Sequence, residues 1–440
     1  MAFQYEPPVT VFNGPDAAYA VNARQNTDDS FTQLVGIGDE WSDAFGRLRV
    51  SNPQSLFAAS FTYDTQPILY EAVQTTSGTV AHNANARAAT LTAAVTSGSL
   101  AALQSRQYIP YEPGKSQLIK LTAEWGDAVA NIRRRCGLFD AANGFYAEQT
   151  TAGVSFVRRS TSTGTLVNTP VAQTAWNIDP LDGTGPSGVT LDLGATGGQL
   201  LVIDAAWLGV GRVRMGWNIG GRTIYCHEFN HSNTDGASAP YVQSFTLPIR
   251  WSIESTATSA GATFKAICAE VESEGGVNSP NGFTFSAANA ANVTTSTARA
   301  HLLSIRPATQ YPASSGLVNR SYVVPLELSV FAASEAVLVE VMYGSTLTGG
   351  TWTRANASSA VEYTTVAPTI TTPGILVSSF FVAAGSGPKV AAAGATGIGD
   401  TYPLTLDIAG AAPKALTLAV TAVTGTSGTA RGGIGWKEIR

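Results

Sequence analysis

The stretch Arg212–Ile219 constrains the fold of this chain more than any other. Its apolar residues alternate strictly: Val213, Met215, Trp217 and Ile219 fall on one side, and Arg212, Arg214 and Asn218 on the other. Successive side chains of an extended strand point to opposite faces, so this pattern predicts a strand with one face in a core. Gly220-Gly221 follows. Two glycines supply the positive φ angles of a tight hairpin turn, and residues 223–229 then run back as the partner strand.

Similar pieces recur at residues 118–123, 201–206, 247–253 and 264–271, with turn signals at Ala142-Asn143-Gly144, Asp182-Gly183 and Asp235-Gly236 between them. No long segment combines helical periodicity with start and stop signals. Residues 84–103 are alanine-rich, but Thr90, Thr92, Val95, Thr96 and Gly98 weaken any helix there. The expected fold is all-β: an antiparallel β-sandwich, jelly-roll or concanavalin-like, over residues 55–277, with a second C-terminal β domain over residues 278–440. The boundary falls at Gly275-Gly276 and the polar run Asn278-Ser279-Pro280-Asn281-Gly282. Candidate strands beyond it are 322–330, 336–343, 375–383, 404–408 and 415–421. No fixed-period repeat points to a solenoid or propeller. Residues 1–54, with Pro7-Pro8, Asn13-Gly14-Pro15 and Asp28-Asp29-Ser30, read as an attachment arm. Such a segment buries little surface alone and orders against a neighbour or the next domain.

Composition narrows the function. Charged residues are 13% of the chain, against roughly 25% in a usual soluble protein. An apolar share of 44% argues against disorder and for a rigid protein with much neutral polar surface. The net charge of −5 gives no general affinity for nucleic acid, and the one basic cluster, Arg133-Arg134-Arg135, is short. It reads as a solvated strand end or an intersubunit ion pair. Cys136, Cys226 and Cys268 are far apart and odd in number, hence buried free thiols that suit a reducing cytosol. Neither a secretory signal nor a membrane span is expected. The most apolar run, residues 375–384, is broken by Ser378 and Ser379.

Three constellations bear on chemistry. His227-Glu228-Phe229-Asn230-His231 fits H-E-x-x-H, a zinc protease pattern that needs a helix to bring both imidazoles to one ion. Here the flanks predict a strand, in which positions four apart lie roughly 13 Å apart. The motif is therefore expected to be structural. Glu270, Glu272 and Glu274 alternate and would share one face. Paired carboxylates at that spacing can hydrolyse glycosidic bonds, but the polar face of a sandwich strand explains them as well. Among the eight tryptophans, Trp125, Trp207, Trp217 and Trp251 are expected in the core; Trp41, Trp352 and Trp436 sit in more polar surroundings suited to subunit contacts or ligand stacking. The chain has no phosphate-binding P-loop, G-x-S-x-G elbow or dinucleotide fingerprint. No catalytic, metal or cofactor-binding residue is assigned, and no enzyme activity is expected.

Two passages resemble a known family. The first is Asp43-Ala44-Phe45-Gly46-Arg47-Leu48-Arg49-Val50-Ser51-Asn52-Pro53 followed by Leu56-Phe57. The second is Trp207-Leu208-Gly209-Val210-Gly211-Arg212-Val213-Arg214-Met215-Gly216, with the histidine motif and Leu247-Pro248-Ile249-Arg250-Trp251 behind it. Both are similar to structural proteins of tailed-bacteriophage virions, over about residues 41–275. That resemblance implies a virion component assembled in the host cytoplasm and partnered by other virion proteins, with the histidine motif in a structural strand. The leading expectation is a homotrimeric tail-associated appendage or fibre. The alternatives are a head decoration or cement protein, and a receptor protein that binds or cleaves a host-surface glycan through residues such as Glu270 and Glu272. A metalloprotease is the remaining reading. No nucleic-acid partner and no membrane insertion are expected.

Overall fold

A computed structural model describes residues 42–50, 52–194, 197–234, 239–275, 282–366, 368–385, 402, 404–425 and 428–440, together with short strands at 9–12, 18–21, 23–25, 31–33 and 389–390. Trp41, the Asp235-Gly236 turn, most of the 278–282 boundary, and the Pro7-Pro8, Asn13-Gly14-Pro15 and Asp28-Asp29-Ser30 features lie outside these residues. Near the start, β1 (Val9–Phe12) pairs with β2 (Ala18–Val21), and β3 (Ala23–Gln25) with β4 (Phe31–Gln33).

Fifteen strands follow. They are β5 (Gln54–Ser60), β6 (Tyr70–Thr75), β7 (Thr79–Asn83), β8 (Ala88–Ala93), β9 (Leu100–Ser105), β10 (Gln117–Glu124), β11 (Ile132–Phe139), β12 (Gly144–Thr150), β13 (Gly153–Ser160), β14 (Val167–Ala172), β15 (Gln199–Ala206), β16 (Arg212–Ile219), β17 (Arg222–Phe229), β18 (Ile249–Ser255) and β19 (Ala262–Ser273). They form two antiparallel sheets. One runs β17-β16-β15-β10-β19-β8-β7, with β5 continuing beside β8 along β19; the other runs β14-β13-β12-β11-β18-β9-β6. The long β19 makes this possible. Its first half pairs with β8, its second half with β5, and β10 lines its other edge. Pro170 lies in β14, an edge strand, where a missing N–H costs no ladder bond on the open side.

The inner faces of both sheets meet in one apolar core. Its largest members include Trp125, Trp217, Trp251, Phe145 and Phe156, all essentially inaccessible. Phe156 stacks on Trp176 with ring centroids 4.3 Å apart, and Trp125 meets Trp217 edge-on at 5.9 Å. The β16–β17 hairpin is as the alternation predicts. Gly220 and Gly221 have φ of 61° and 82°, and Val213, Met215 and Trp217 are fully buried. The chain is thus an antiparallel β-sandwich. The alanine-rich stretch is strand, turn and strand again, β8 and β9.

A second core involves β20 (Phe283–Ala288), β21 (Val293–Thr295), β22 (Ala300–Pro307), β23 (Tyr322–Ala332), β24 (Val337–Tyr343), β25 (Thr346–Thr348), β26 (Thr353–Arg354), β27 (Val361–Thr364), β28 (Thr369–Thr372), β29 (Ile375–Val382), β30 (Lys389–Val390), β31 (Leu416–Ala422) and β32 (Gly428–Ile439). One sheet runs β20-β32-β23-β30, with β21 also on β32; the other runs β26-β27-β22-β31-β24-β29. Leu302, Val339, Leu418, Ile434 and Trp436 pack between them. Trp436 corrects the sequence reading, because it is wholly buried and its indole N–H donates to Glu438 Oε1 at 3.0 Å.

Two expected strands differ from their patterns: one is shifted by two residues and the other does not form. Leu247 makes only an isolated bridge to Ile109, and β18 begins after Pro248, which lacks an N–H to donate. Residues 404–408 make isolated bridges only, because Asp407 turns the chain: its Oδ1 accepts from the N–H groups of Ala411 (2.6 Å) and Ala412 (2.9 Å). Since Trp217 joins both sheets, Trp217→Ala should destabilise the sandwich by about 3–5 kcal/mol, read as a lowered urea midpoint of the full chain; an unchanged midpoint would show that the core does not depend on it.

Candidate functional site: a buried ionic joint and the sheet face around it

The outer face of the eight-stranded sheet is not simply a solvated polar face. From Leu200 to Ala206, strand β15 is apolar except for Asp204, whose side chain points away from the core and is fully buried. Arg214 stands opposite it on β16 and is also fully buried. Arg214 Nη2 donates to Asp204 Oδ2 at 2.6 Å, and the Tyr225 hydroxyl donates to the same oxygen at 3.0 Å. The Arg214 guanidinium lies 4.1 Å from the centre of the Tyr225 ring. Burial among these groups raises the Tyr225 phenol well above its ordinary pKa.

What covers these charges is the segment 42–50. Arg49 reaches in, with Nη2 at 2.5 Å from Asp204 Oδ2 and Nη1 at 3.2 Å from Glu274 Oε1. The Ser42 carbonyl accepts from Arg214 (2.7 Å) and from Arg49 Nε (3.1 Å), and the Ala44 carbonyl accepts from Arg212 Nε (3.1 Å). The segment is shaped from within. Asp43 Oδ1 accepts from the N–H groups of Phe45 (3.0 Å) and Arg47 (2.8 Å), and Gly46 takes φ of 79° to close the turn. Ser116 Oγ sits 3.2 Å from Asp43 Oδ2 and 2.9 Å from Glu274 Oε2, linking the two carboxylates. Arg47 holds Asp43 below the ordinary carboxylate pKa against the opposing effect of burial. Glu274 goes the other way: burial raises its pKa, partly offset by Arg49.

Beside the joint lies an open hollow of about 580 Å³, lined among others by Lys120, Thr122, Leu200, Cys268 and Glu270. Lys120 Nζ is 3.0 Å from Glu272 and 3.6 Å from Glu270. Burial and the neighbouring Glu272 raise the Glu270 pKa, and Lys120 opposes them. The three alternating glutamates are therefore divided: Glu270 and Glu272 share a lysine, whereas Glu274 belongs to the joint. Among the described residues no aromatic ring lines the hollow.

The histidine motif begins on extended backbone, His227–Phe229 being the end of β17. His227 is in β17 opposite Met215, on the core side, and its Nδ1 accepts from the Asn177 N–H at 3.3 Å. Glu228 stands opposite Arg214 on the other face and pairs with Arg212 at 3.2 Å. His231 lies beyond the strand, with Nε2 2.9 Å from the Ala239 carbonyl oxygen. Among the described residues no group of three or more His, Cys, Asp or Glu side chains could hold a metal ion.

The other expected residues fall as follows. Arg133 and Arg135 share Glu148 and Glu254 across neighbouring strands, while Arg134 turns inward, so the basic run is an intramolecular network on an alternating strand. Cys136 and Cys226 are buried free thiols, and Cys268 is partly exposed at the hollow. Trp125, Trp217 and Trp251 are core residues, and Trp207 packs against that core, edge-on to Tyr111. Trp352 lies under the Arg306 guanidinium at 3.9 Å. Sequence reasoning missed Asp204 and Arg214 as a pair. The available signal was one carboxylate inside the otherwise apolar run Leu200-Leu201-Val202-Ile203-Asp204-Ala205-Ala206.

No family model and no curated protein matches this chain. Among solved structures, a glycosyl hydrolase family protein from Mycobacterium fortuitum is 10% identical over 50% of this chain and 99% of its own, with a TM-score of 0.33. The CBM2 module of the evolved Dit of Lactobacillus casei BL23 phage J-1 is 9% identical over 52% and 99%, with a TM-score of 0.31. A legume lectin-like domain from Entamoeba histolytica is 9% identical over 50% and 98%, with a TM-score of 0.29. Nothing about ligand or reaction follows from likenesses this weak.

Two outcomes follow from the joint and the histidine. Arg49→Ala removes one donor to a buried carboxylate, so residues 42–50 should open more readily by about 1.5–3 kcal/mol. Limited trypsin digestion should then cut at Arg47 at least roughly tenfold faster; equal rates would mean that Arg49 does not hold the segment. Burial lowers the His227 pKa from 6.5 to about 4. The unfolded chain therefore takes up the proton first. The stability tied to neutral His227 is complete above pH 6.5 and is lost as pH falls toward about 4. His227→Gln should make the acid-side fall in Tm shallower over that range, leaving the share due to His301, which is also lowered to about 4; an unchanged slope would remove His227 from the account.

Proposed function

We propose that this chain is a structural, non-enzymatic component of a tailed-phage particle: a homotrimeric tail-associated appendage or fibre attached through residues 1–54, with head decoration as the alternative within that class. One observation carries the reading. The two passages that resemble phage virion proteins, 43–53 and 207–216, lie more than 150 residues apart in sequence. Arg49 of the first and Arg214 of the second nevertheless donate to the same buried oxygen of Asp204. A shared joint gives a physical reason for both strings to occur together, because each supplies a cation to the same buried carboxylate. An attachment element needs a firm anchor, and the hold on residues 42–50 supports that reading of the arm.

Other features support the same reading. Most of the charged side chains named above are spent on internal pairs, which leaves neutral polar surface suited to close packing between copies. A glycan-cleaving reading would centre on Glu270 and Glu272. They share Lys120 beside a hollow without a lining aromatic ring, so that reading is not favoured.

The test is quantitative mass spectrometry of gradient-purified phage particles from cells producing this chain. The expected result is a fixed copy number per particle that is a multiple of three. A chain left wholly in the soluble fraction would overturn the proposal.

A further inference from the structure

Away from the joint, one buried guanidinium has no carboxylate at ion-pair distance among the described residues, although Asp127 attracts it from further off. Arg134 on β11 is 4% exposed. Its Nε donates to the Thr263 carbonyl (3.0 Å), and its Nη1 to the Asp127 carbonyl (2.8 Å) and Gln149 Oε1 (2.7 Å). Gln149 is itself fixed, donating through Nε2 to the Gly126 carbonyl at 2.9 Å. Every one of these acceptors is neutral. Nη2 is bonded to nothing among the described residues, although Arg133 and Arg135 on either side both have glutamates. Burial lowers the Arg134 pKa to about 10, so it remains a cation at neutral pH.

Nη2 faces a cleft. A Cβ at Gly126, a lining residue, would lie 3.8 Å from it. The cleft has a volume of about 260 Å³, and its lining also includes Trp125, Asp127, Glu124 and Thr263. The cleft therefore presents a fixed planar cation with an unused donor. The groups hydrogen-bonded to this buried cation are all neutral and Asp127 attracts it only from beyond ion-pair distance, so an anion in the cleft would complete its pairing.

We propose that this cleft is a binding site for a carboxylate, carried by a small organic acid or by one acidic sugar residue. A planar carboxylate matches the guanidinium edge. Asp127 and the Lys265-paired Glu124 on the lining make a single negative charge easier to accommodate than the double charge of phosphate. The volume lies near the lower end of small-molecule sites and suits one such group. This site is separate from the joint and does not depend on the particle reading.

Calorimetric titration of the full chain with acetate, glucuronate, a uronic-acid oligosaccharide and inorganic phosphate tests it. Acetate and glucuronate should bind one per chain, with phosphate at least tenfold weaker. Tighter binding of the oligosaccharide than of glucuronate assigns the site to a glycan; equal binding assigns it to a free acid. Arg134→Gln removes the cation but risks the fold. The decisive variant is therefore Thr263→Glu, at an exposed lining position that supplies a carboxylate from the chain itself. It should abolish acetate binding and raise Tm, while Thr263→Gln keeps wild-type binding. Absence of acid binding, phosphate binding as tight as acetate, or wild-type acetate binding by Thr263→Glu would each overturn the proposal.

Discussion

The structure turns on one carboxylate that has no access to water. Asp204 sits at the centre of a sheet face where an unpaired charge would cost several kcal/mol. It is tolerable because Arg214, Arg49 and Tyr225 all donate to the same oxygen, and because Glu274 balances the second arginine. Arg49 belongs to a segment outside the sandwich strands. The outer sheet face and residues 42–50 are therefore one unit: neither set of charges is satisfied without the other.

The same solution recurs in the second core. Glu438 is fully buried on β32, with Oε1 accepting from Ser359 Oγ (2.5 Å) and Trp436 Nε1 (3.0 Å), and Oε2 from the Ala360 N–H (2.8 Å) and Arg440 Nη2 (2.6 Å). Here too a single acidic residue ties a distant segment to a sheet. In a chain with few charges, those inside act as fasteners between segments. Partly exposed charges also pair across distant strands, as Lys120 does with Glu272 at 3.0 Å and Lys265 with Glu124 at 2.7 Å.

Much of the sandwich was legible because alternation is a local signal. The β16–β17 hairpin, the core tryptophans and the extended state of the histidine motif all follow from residues close together in sequence. Boundaries were less legible where one residue ended a strand, as Pro248 does before β18 and Asp407 does beyond residue 404. Trp436 misled because its neighbours Lys437 and Glu438 are charged. One of those charges is itself buried and bonded to the indole, which a reading of polar surroundings cannot reveal.

From its residues alone the chain determined that it would be built of strands, which side chains would share each face, and that charge would be scarce, since these depend on period and composition. Only the tertiary structure decided that the polar side of β16 would be covered rather than wet, that Arg49, Asp204, Arg214 and Glu274 would meet, and that Arg134 would have only neutral hydrogen-bond partners. Those outcomes depend on which distant segment lies over which face. Pairing of charges far apart in sequence leaves no periodic trace for local reading to find.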